Sequence, residues 1–240
     1  MGWMDTLRRY RRTTIGPFWA SLSVAVFIGT VGVVYSQVFG QDITTYLPFL
    51  CSGYVVWAPL ATFITECSGV FTGAEGLLKQ TRIPFTVFVY SAVVRNLIVF
   101  IHNIVVYIIV AIAFKVQISL AVFLIFPALL LLVVNAVWVG ILIGLVCARF
   151  RDVAQMVSAL TQVAFFVTPI FWSAGQVSGW RKLMVDANPL FHLIDILRSP
   201  LLGLYPAPES WLAAVLIAVV GWAGTLRIYN KYHSRIVYWI

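Results

Sequence analysis

The sequence predicts an all-α integral membrane protein of six transmembrane helices, with both ends on the cytoplasmic side. Three observations predict it. Hydrophobic residues make up 62% of the 240 and charged residues only 10%, against roughly 45–50% and 25% in soluble domains. The apolar residues fall into long runs, most of them near or above the ~20 residues that cross a bilayer as a helix. The 16 Lys and Arg, set against 8 Asp and Glu for a net charge of +8, concentrate in alternate connections, as the positive-inside rule requires. In a soluble chain that excess would raise nucleic acid. Here no zinc-finger, RNA-binding or base-reading helical pattern accompanies it, so nucleic acid is set aside.

The elements follow in order along one transmembrane domain, residues 1–240. In residues 1–16, Trp3, Leu7 and Tyr10 recur at helical spacing while Arg8, Arg9, Arg11 and Arg12 hold the other face. That is an amphipathic helix lying in the interface, arginines toward anionic headgroups. It lacks the short apolar core and small-residue site of a cleaved signal peptide. Gly16-Pro17 breaks it, and the first span is Phe18–Phe39. A short loop, Gly40–Tyr46, leads to the second span, Leu47–Cys67, with Glu66 at its far end.

Between two apolar runs lies a polar island, Phe71 to Pro84 (FTGAEGLLKQTRIP). Glu75 and Lys79 are four apart and can pair on one helical face, while Leu77 and Leu78 supply an apolar side. The island is a short helix along the membrane surface, 71–83, or else an ordinary loop with fortuitous spacing. The third run, Phe85–Phe114, opens on Pro84 and is about 30 residues, longer than a crossing needs. It carries Arg95, and an intramembrane arginine must find a partner or water. A helix that starts in the interface lets Arg95 snorkel back to the cytoplasmic headgroups, which is the expectation favoured here.

A turn at Lys115–Gln117 precedes the fourth span, Leu120–Val146, whose Gly140 and Gly144 suit close helix packing. The charged turn Ala148–Val153 leads to the fifth, Ala154–Phe171. Residues 173–210 mix polar and apolar character. Leu190, Ile194, Leu197 and Leu201 repeat there at helical spacing, so short re-entrant helices in the outer half of the membrane are expected. The sixth span, Trp211–Ile228, ends in a basic tail. Eleven Lys and Arg fall on the cytoplasmic side and four, Lys115, Arg181, Lys182 and Arg198, on the outer side, with Arg95 unassigned. Cys51, Cys67 and Cys147 form no metal or redox pattern and are expected as buried free thiols.

Signatures of chemistry are absent: no HExxH, no GxSxG and no GxxxxGK[ST] phosphate loop. His192 and Asp195, three apart, could set an acid beside a base. The alternative is that they cap and anchor a re-entrant helix. Carrier-type inverted repeats are also missing and acidic residues within spans nearly so, so any transport must draw its energy from another subunit.

With these residues in place, the chain resembles the membrane subunit of ATP-binding-cassette exporters of type-2 architecture, in the branch that exports lipid-linked polysaccharides such as O-antigen, capsule and teichoic acid. The resemblance rests on RYRRTTIGPFW (9–19), LLKQTRIPFTVFVYSAVVRN (77–96), CARFRDV (147–153), TPIFW (168–172) and NPLFHLIDILRSPLLG (188–203), in family order. It implies a non-catalytic permease in the bacterial inner membrane, pairing with a second copy of itself and with two ATPase subunits. No cofactor would be bound by this chain, since ATP and Mg belong to the ATPases. It also implies that Phe71–Arg82 is the coupling helix, with Thr72, Glu75, Leu78, Lys79 and Arg82 facing the ATPase. The interface helix would contribute Trp3, Leu7, Arg8, Arg9 and Arg12, although the stretch before the first span is short for the family. Glycans slide over aromatic rings, so Tyr54, Trp57, Phe165, Phe166 and Trp172 are the candidate channel residues. His192, Asp195 and Arg198 would shape the exit. Readings outside this one are export of another amphiphile or drug by the same architecture, a membrane-embedded lipid- or sugar-processing enzyme, and a purely structural subunit.

Overall fold

The computed structural model describes residues 18–81 and 83–240. Trp3, Leu7, Arg8, Arg9 and Arg12 of the expected interface helix, and Arg82 of the polar island, lie outside the described residues. The regular elements among the described residues are all helical, without strands. Helix α1 is Phe18–Val38, α2 Ile43–Cys67, α3 Glu75–Gln80, α4 Thr86–Ala113, α5 Ile125–Arg149, α6 Val153–Val167, α7 Trp180–Asp186, α8 Pro189–Leu201, α9 Pro208–Tyr232 and α10 Ile236–Trp239. Helices α1, α2, α4, α5 and α9 are long and apolar enough to cross a membrane, and α6 is a shorter apolar helix. The chain is a multi-pass membrane protein.

Several boundaries differ from those the sequence suggested, for local reasons. Helix α2 begins at Ile43, four residues before Leu47, because the Asp42 carboxylate accepts the Thr44 amide proton at 3.0 Å and caps the helix. Helix α5 is preceded by a tighter 3₁₀ turn, Leu120–Leu124, capped by Ser119. Helix α6 stops at Val167 rather than Phe171, since Thr168 is extended ahead of Pro169. At 15 residues it spans about 22 Å, less than the ~30 Å of hydrocarbon. Helix α9 extends past both expected ends, with Pro208 in its first turn, where a missing N–H costs no bond.

Helix α2 is the axis of the fold, more deeply buried than any other span, and it packs against α1, α4, α5, α6 and α8. Lipid tails are as apolar as Leu, so burial alone does little to hold spans together. Close approach and polar ties do more. On α5 a Cβ at Gly140 would fall 2.7 Å from Val89 and 3.0 Å from Phe63 and Cys67. One at Gly144 would fall 2.8 Å from Phe71 and Val70. The two glycines are therefore the notch that seats the cytoplasmic ends of α2 and α4. Polar ties cross between elements as well. Tyr46 donates to the Phe171 carbonyl at 2.6 Å, Tyr107 to the Leu201 carbonyl, and Asn135 to the Ala214 carbonyl at 3.3 Å.

The apolar interior forms two clusters. The larger joins α1, α2, α4 and α8 through residues such as Ile28, Leu50, Val55, Phe100, Ile194 and Leu197. The smaller lies at the end that the arginine distribution assigns to the cytoplasm, where Phe71, Leu78, Val89, Leu145, Ile236 and Ile240 meet. Cys51, Cys67 and Cys147 are free and buried.

Candidate functional site

Between α1, α2 and α6 runs a groove of about 480 Å³. Phe27 enters from α1, Tyr54, Trp57, Ala61, Thr62 and Thr65 from α2, and Ser158, Thr161, Gln162, Phe165 and Phe166 from α6. Residues 54, 57, 61 and 65 fall on one face of α2 at helical spacing. Phe165 is the hub of the aromatic wall, with its ring centroid 5.8 Å from Trp57, 6.1 Å from Tyr54 and 5.3 Å from Phe166. Phe27 and Tyr54 stack at 4.2 Å. Trp57 is buried at 5% exposure, whereas Phe166 stands 62% exposed.

The hydroxyls along this groove are oriented by their own helices. Thr62 donates to the Ala58 carbonyl at 2.9 Å, Thr65 to Ala61 at 3.0 Å and Thr161 to Val157 at 2.7 Å. Each hydroxyl proton is thus taken up by the backbone, which leaves the oxygen lone pairs as acceptors toward the groove. Aromatic faces interleaved with acceptor oxygens suit a ligand with C–H faces and hydroxyl donors.

Four of the five sequence-predicted channel residues, Tyr54, Trp57, Phe165 and Phe166, come together in this groove. Trp172 does not line it, because its indole N–H turns back to the Phe166 carbonyl at 3.1 Å. Phe27 was missed, being one apolar residue in an apolar span. Thr62, Thr65, Thr161 and Gln162 were also missed, although polar side chains recurring on one face of a span were a usable signal.

Beyond the C-terminal end of α6, the segment expected to be re-entrant forms the short helices α7 and α8. The Asn188 side chain caps α8 through the Leu190 amide at 3.0 Å and donates to Thr168 at 2.9 Å. His192 donates from Nε2 to the Asp186 carbonyl at 2.7 Å, and its Nδ1 lies 3.2 Å from the Ser210 hydroxyl. Ser210 donates to Asp195 at 2.8 Å, as does Ser199 at 2.9 Å. The imidazole and carboxylate thus meet through a serine that is 2% exposed. Arg198 is buried too, donating to the carbonyls of Pro169 and Ile170 at 2.7 and 3.2 Å with its guanidinium over the Phe49 ring.

The polar island is helical. A 3₁₀ turn, Thr72–Ala74, runs into α3. Phe71, 1% exposed, and Leu78 plug it into the smaller core, while Leu77 stays exposed. Lys79 and Glu75 pair at 2.6 Å on the exposed face. The hydrogen bond and charge of Lys79 hold the Glu75 carboxyl below its ordinary value. Thr72 and Glu75 border a cavity of about 360 Å³ with Ser68, Cys147, Arg151 and Ala154. Arg95 turns inward rather than snorkelling to headgroups, because Glu66 on α2 lies within reach at 2.6 Å. The sequence showed both residues but not their register.

The family described as ABC-2 type transporter matches residues 1–202. The O-antigen export system permease protein RfbA of Myxococcus xanthus is 24% identical over 188 residues, covering 78% of this chain and 72% of that protein. A protein of the same name from Klebsiella pneumoniae is 23% identical over 236 residues, covering 96% of this chain and 90% of its own length.

Proposed function

Because the chain belongs to the ABC-2 type transporter family, we propose that it is the permease half of an ATP-driven exporter moving a lipid-linked polysaccharide out of the cytoplasm. The observation that carries this reading is the groove. Its stacked rings can support the C–H faces of successive sugars, and its threonine oxygens can accept from their hydroxyls. Repeated, similar contacts suit a polymer that must slide, where one deep specific pocket would hold it fast. The relatives' names, O-antigen export permeases, support the same cargo.

The groove opens on a face where α6 shows Leu160, Val163 and Phe166. A second copy of the chain closes that face and makes a path between two permeases. The chain has no phosphate loop, so energy comes from two separate ATPase subunits, which hold ATP and Mg and press on the segment Thr72–Lys79. This chain itself performs no reaction, since the His192–Ser210–Asp195 group is buried and spent on structure.

The test is complementation of a strain lacking this chain, together with co-purification of the tagged chain with its candidate ATPase. Restored surface glycan and a co-purifying ATPase are expected. Unchanged surface glycan in the deletion strain, with an ATPase still bound, would redirect the cargo to another amphiphile. A chain stable and functional without any ATPase would overturn the reading.

A further inference from the structure

The coupling segment is a hairpin whose two feet are α2 and α4, and those feet are clasped. Glu66, in the last turn of α2, accepts from Arg95 Nε at 2.8 Å and lies 2.6 Å from its Nη2, all on Oε1. Its other oxygen, Oε2, accepts from Asn96 Nδ2 at 2.9 Å. Asn96 is buried and also donates to the Ala92 carbonyl at 3.0 Å, which holds the amide in place. Both carboxylate oxygens are therefore engaged by α4. The ionic side chains are only 20% and 26% exposed, so the attraction is stronger than that of a solvated surface pair.

Charge placed this deep is rarely incidental, and its position in the hairpin gives it a task. The chain from Glu66 to Arg95 leaves α2, forms α3 and returns as α4, with Phe71 and Leu78 fixing it to the core. A load on α3 can either splay α2 from α4 or move them together. Glu66 lies one turn beyond Thr62 and next to Thr65, which line the groove from the same helix. Only joint movement carries the load into the groove wall.

We infer that Glu66, held by Arg95 and Asn96, is a positioning residue that locks the cytoplasmic ends of α2 and α4 into one lever, so that a load on α3 reshapes the groove. This rests on the permease reading. Without the clasp, the ATPase stays docked and active, but its stroke is lost in splaying the hairpin.

Two readouts test it on the full chain. The first is the distance distribution between spin labels at Gly69→Cys and Tyr90→Cys, both exposed sites, beside native cysteines that are buried. The second is glycan moved per ATP hydrolysed, using the host's radiolabelled lipid-linked glycan in inverted vesicles that hold the co-expressed ATPase. Glu66→Ala is expected to broaden the distances and lower the yield per ATP about tenfold, with hydrolysis and co-purification retained. The exchange Glu66→Arg with Arg95→Glu is expected to narrow the distances again and recover most of the yield. Unchanged distances in Glu66→Ala overturn the clasp. Broadened distances with an unchanged yield overturn its role in transmission, and so does an exchange variant that restores neither. A wild type that moves no glycan with ATP defeats the permease reading instead, and the distance measurement then decides the clasp alone.

Discussion

The guanidinium of Arg198 occupies the space that a side chain on Gly53 would fill. A Cβ on that glycine would fall 2.8 Å from Cζ and 2.9 Å from Nε. The missing side chain in α2 is what lets an arginine from α8 cross the axis of the fold and reach the carbonyls of Pro169 and Ile170. Those carbonyls lie just past the end of α6 at Val167, so one buried cation satisfies backbone groups in the stretch that follows the short helix. Gly53→Ala should therefore destabilise the protein by about 1–3 kcal/mol through overpacking, although Ala is the better helix former by ~1 kcal/mol. Thermal unfolding of the purified protein in detergent checks it. Because both changes act on one contact, Gly53→Ala with Arg198→Ala should cost no more than Arg198→Ala alone.

The His192–Ser210–Asp195 group fastens α8 to the first turn of α9 and, through the Asp186 carbonyl, to the end of α7. Ser210→Ala removes the bridging hydroxyl and leaves an imidazole nitrogen and a carboxylate oxygen buried without it. A cost of about 1–3 kcal/mol is expected, read as a lower unfolding midpoint. A processing enzyme would instead lose turnover at an unchanged midpoint. His192→Ala and Asp195→Ala should track Ser210→Ala in stability, since all three remove the same fastening.

The architecture was legible in the sequence because hydropathy and arginine placement are properties of runs, which survive ignorance of packing. Helix ends were less so: Asp42 moved the start of α2 and Pro169 the end of α6, each through a single residue. The groove was half legible. Aromatic residues announced themselves, but Phe27 looks like any other apolar residue in a span, and the Trp172 indole donates to the Phe166 carbonyl only because the chain reverses after Thr168. Arg95 was visible as an oddity. Its partner Glu66 is 29 residues away, and only the register of α2 against α4 brings the two together.

Within the aromatic wall, exposure separates two roles. Phe165 touches Phe27, Tyr54, Trp57, Phe166 and Phe171, so Phe165→Ala strips the wall of its hub and should lower the unfolding midpoint. The cost should be less than the ~3–5 kcal/mol of a fully buried ring, because Phe165 lines the groove. Phe166 is 62% exposed, so Phe166→Ala should leave the unfolding midpoint nearly unchanged. Losing one stacking surface, worth about 0.5–1.5 kcal/mol, should slow glycan export roughly two- to tenfold. Surface-glycan labelling in complemented cells, beside the unfolding midpoint, distinguishes the two. Equal export by wild type and Phe166→Ala would remove this ring from the path.

The exposed face of α3 offers a separation of helix from interface. Exchanging its charges, Glu75→Lys with Lys79→Glu, keeps an i to i+4 pair in the less favourable orientation while inverting the pattern shown to a partner. The unfolding midpoint should not move, because the pair is solvent-exposed. Recovery of the ATPase in a pull-down should fall several-fold. The acid limb has a definite sign. Lys79 holds the Glu75 carboxyl below its ordinary 4.5, so the pair is fully formed above that value and is lost as pH falls through the lowered one. Wild-type complex recovery should therefore stay constant from pH 8 to pH 5, where Glu75 remains ionised. Only below about pH 4.5 should wild type lose binding that Glu75→Gln lacks at every pH. Undiminished recovery with the charge-exchanged variant would show that Leu77 and the backbone of α3, rather than its charges, meet the ATPase.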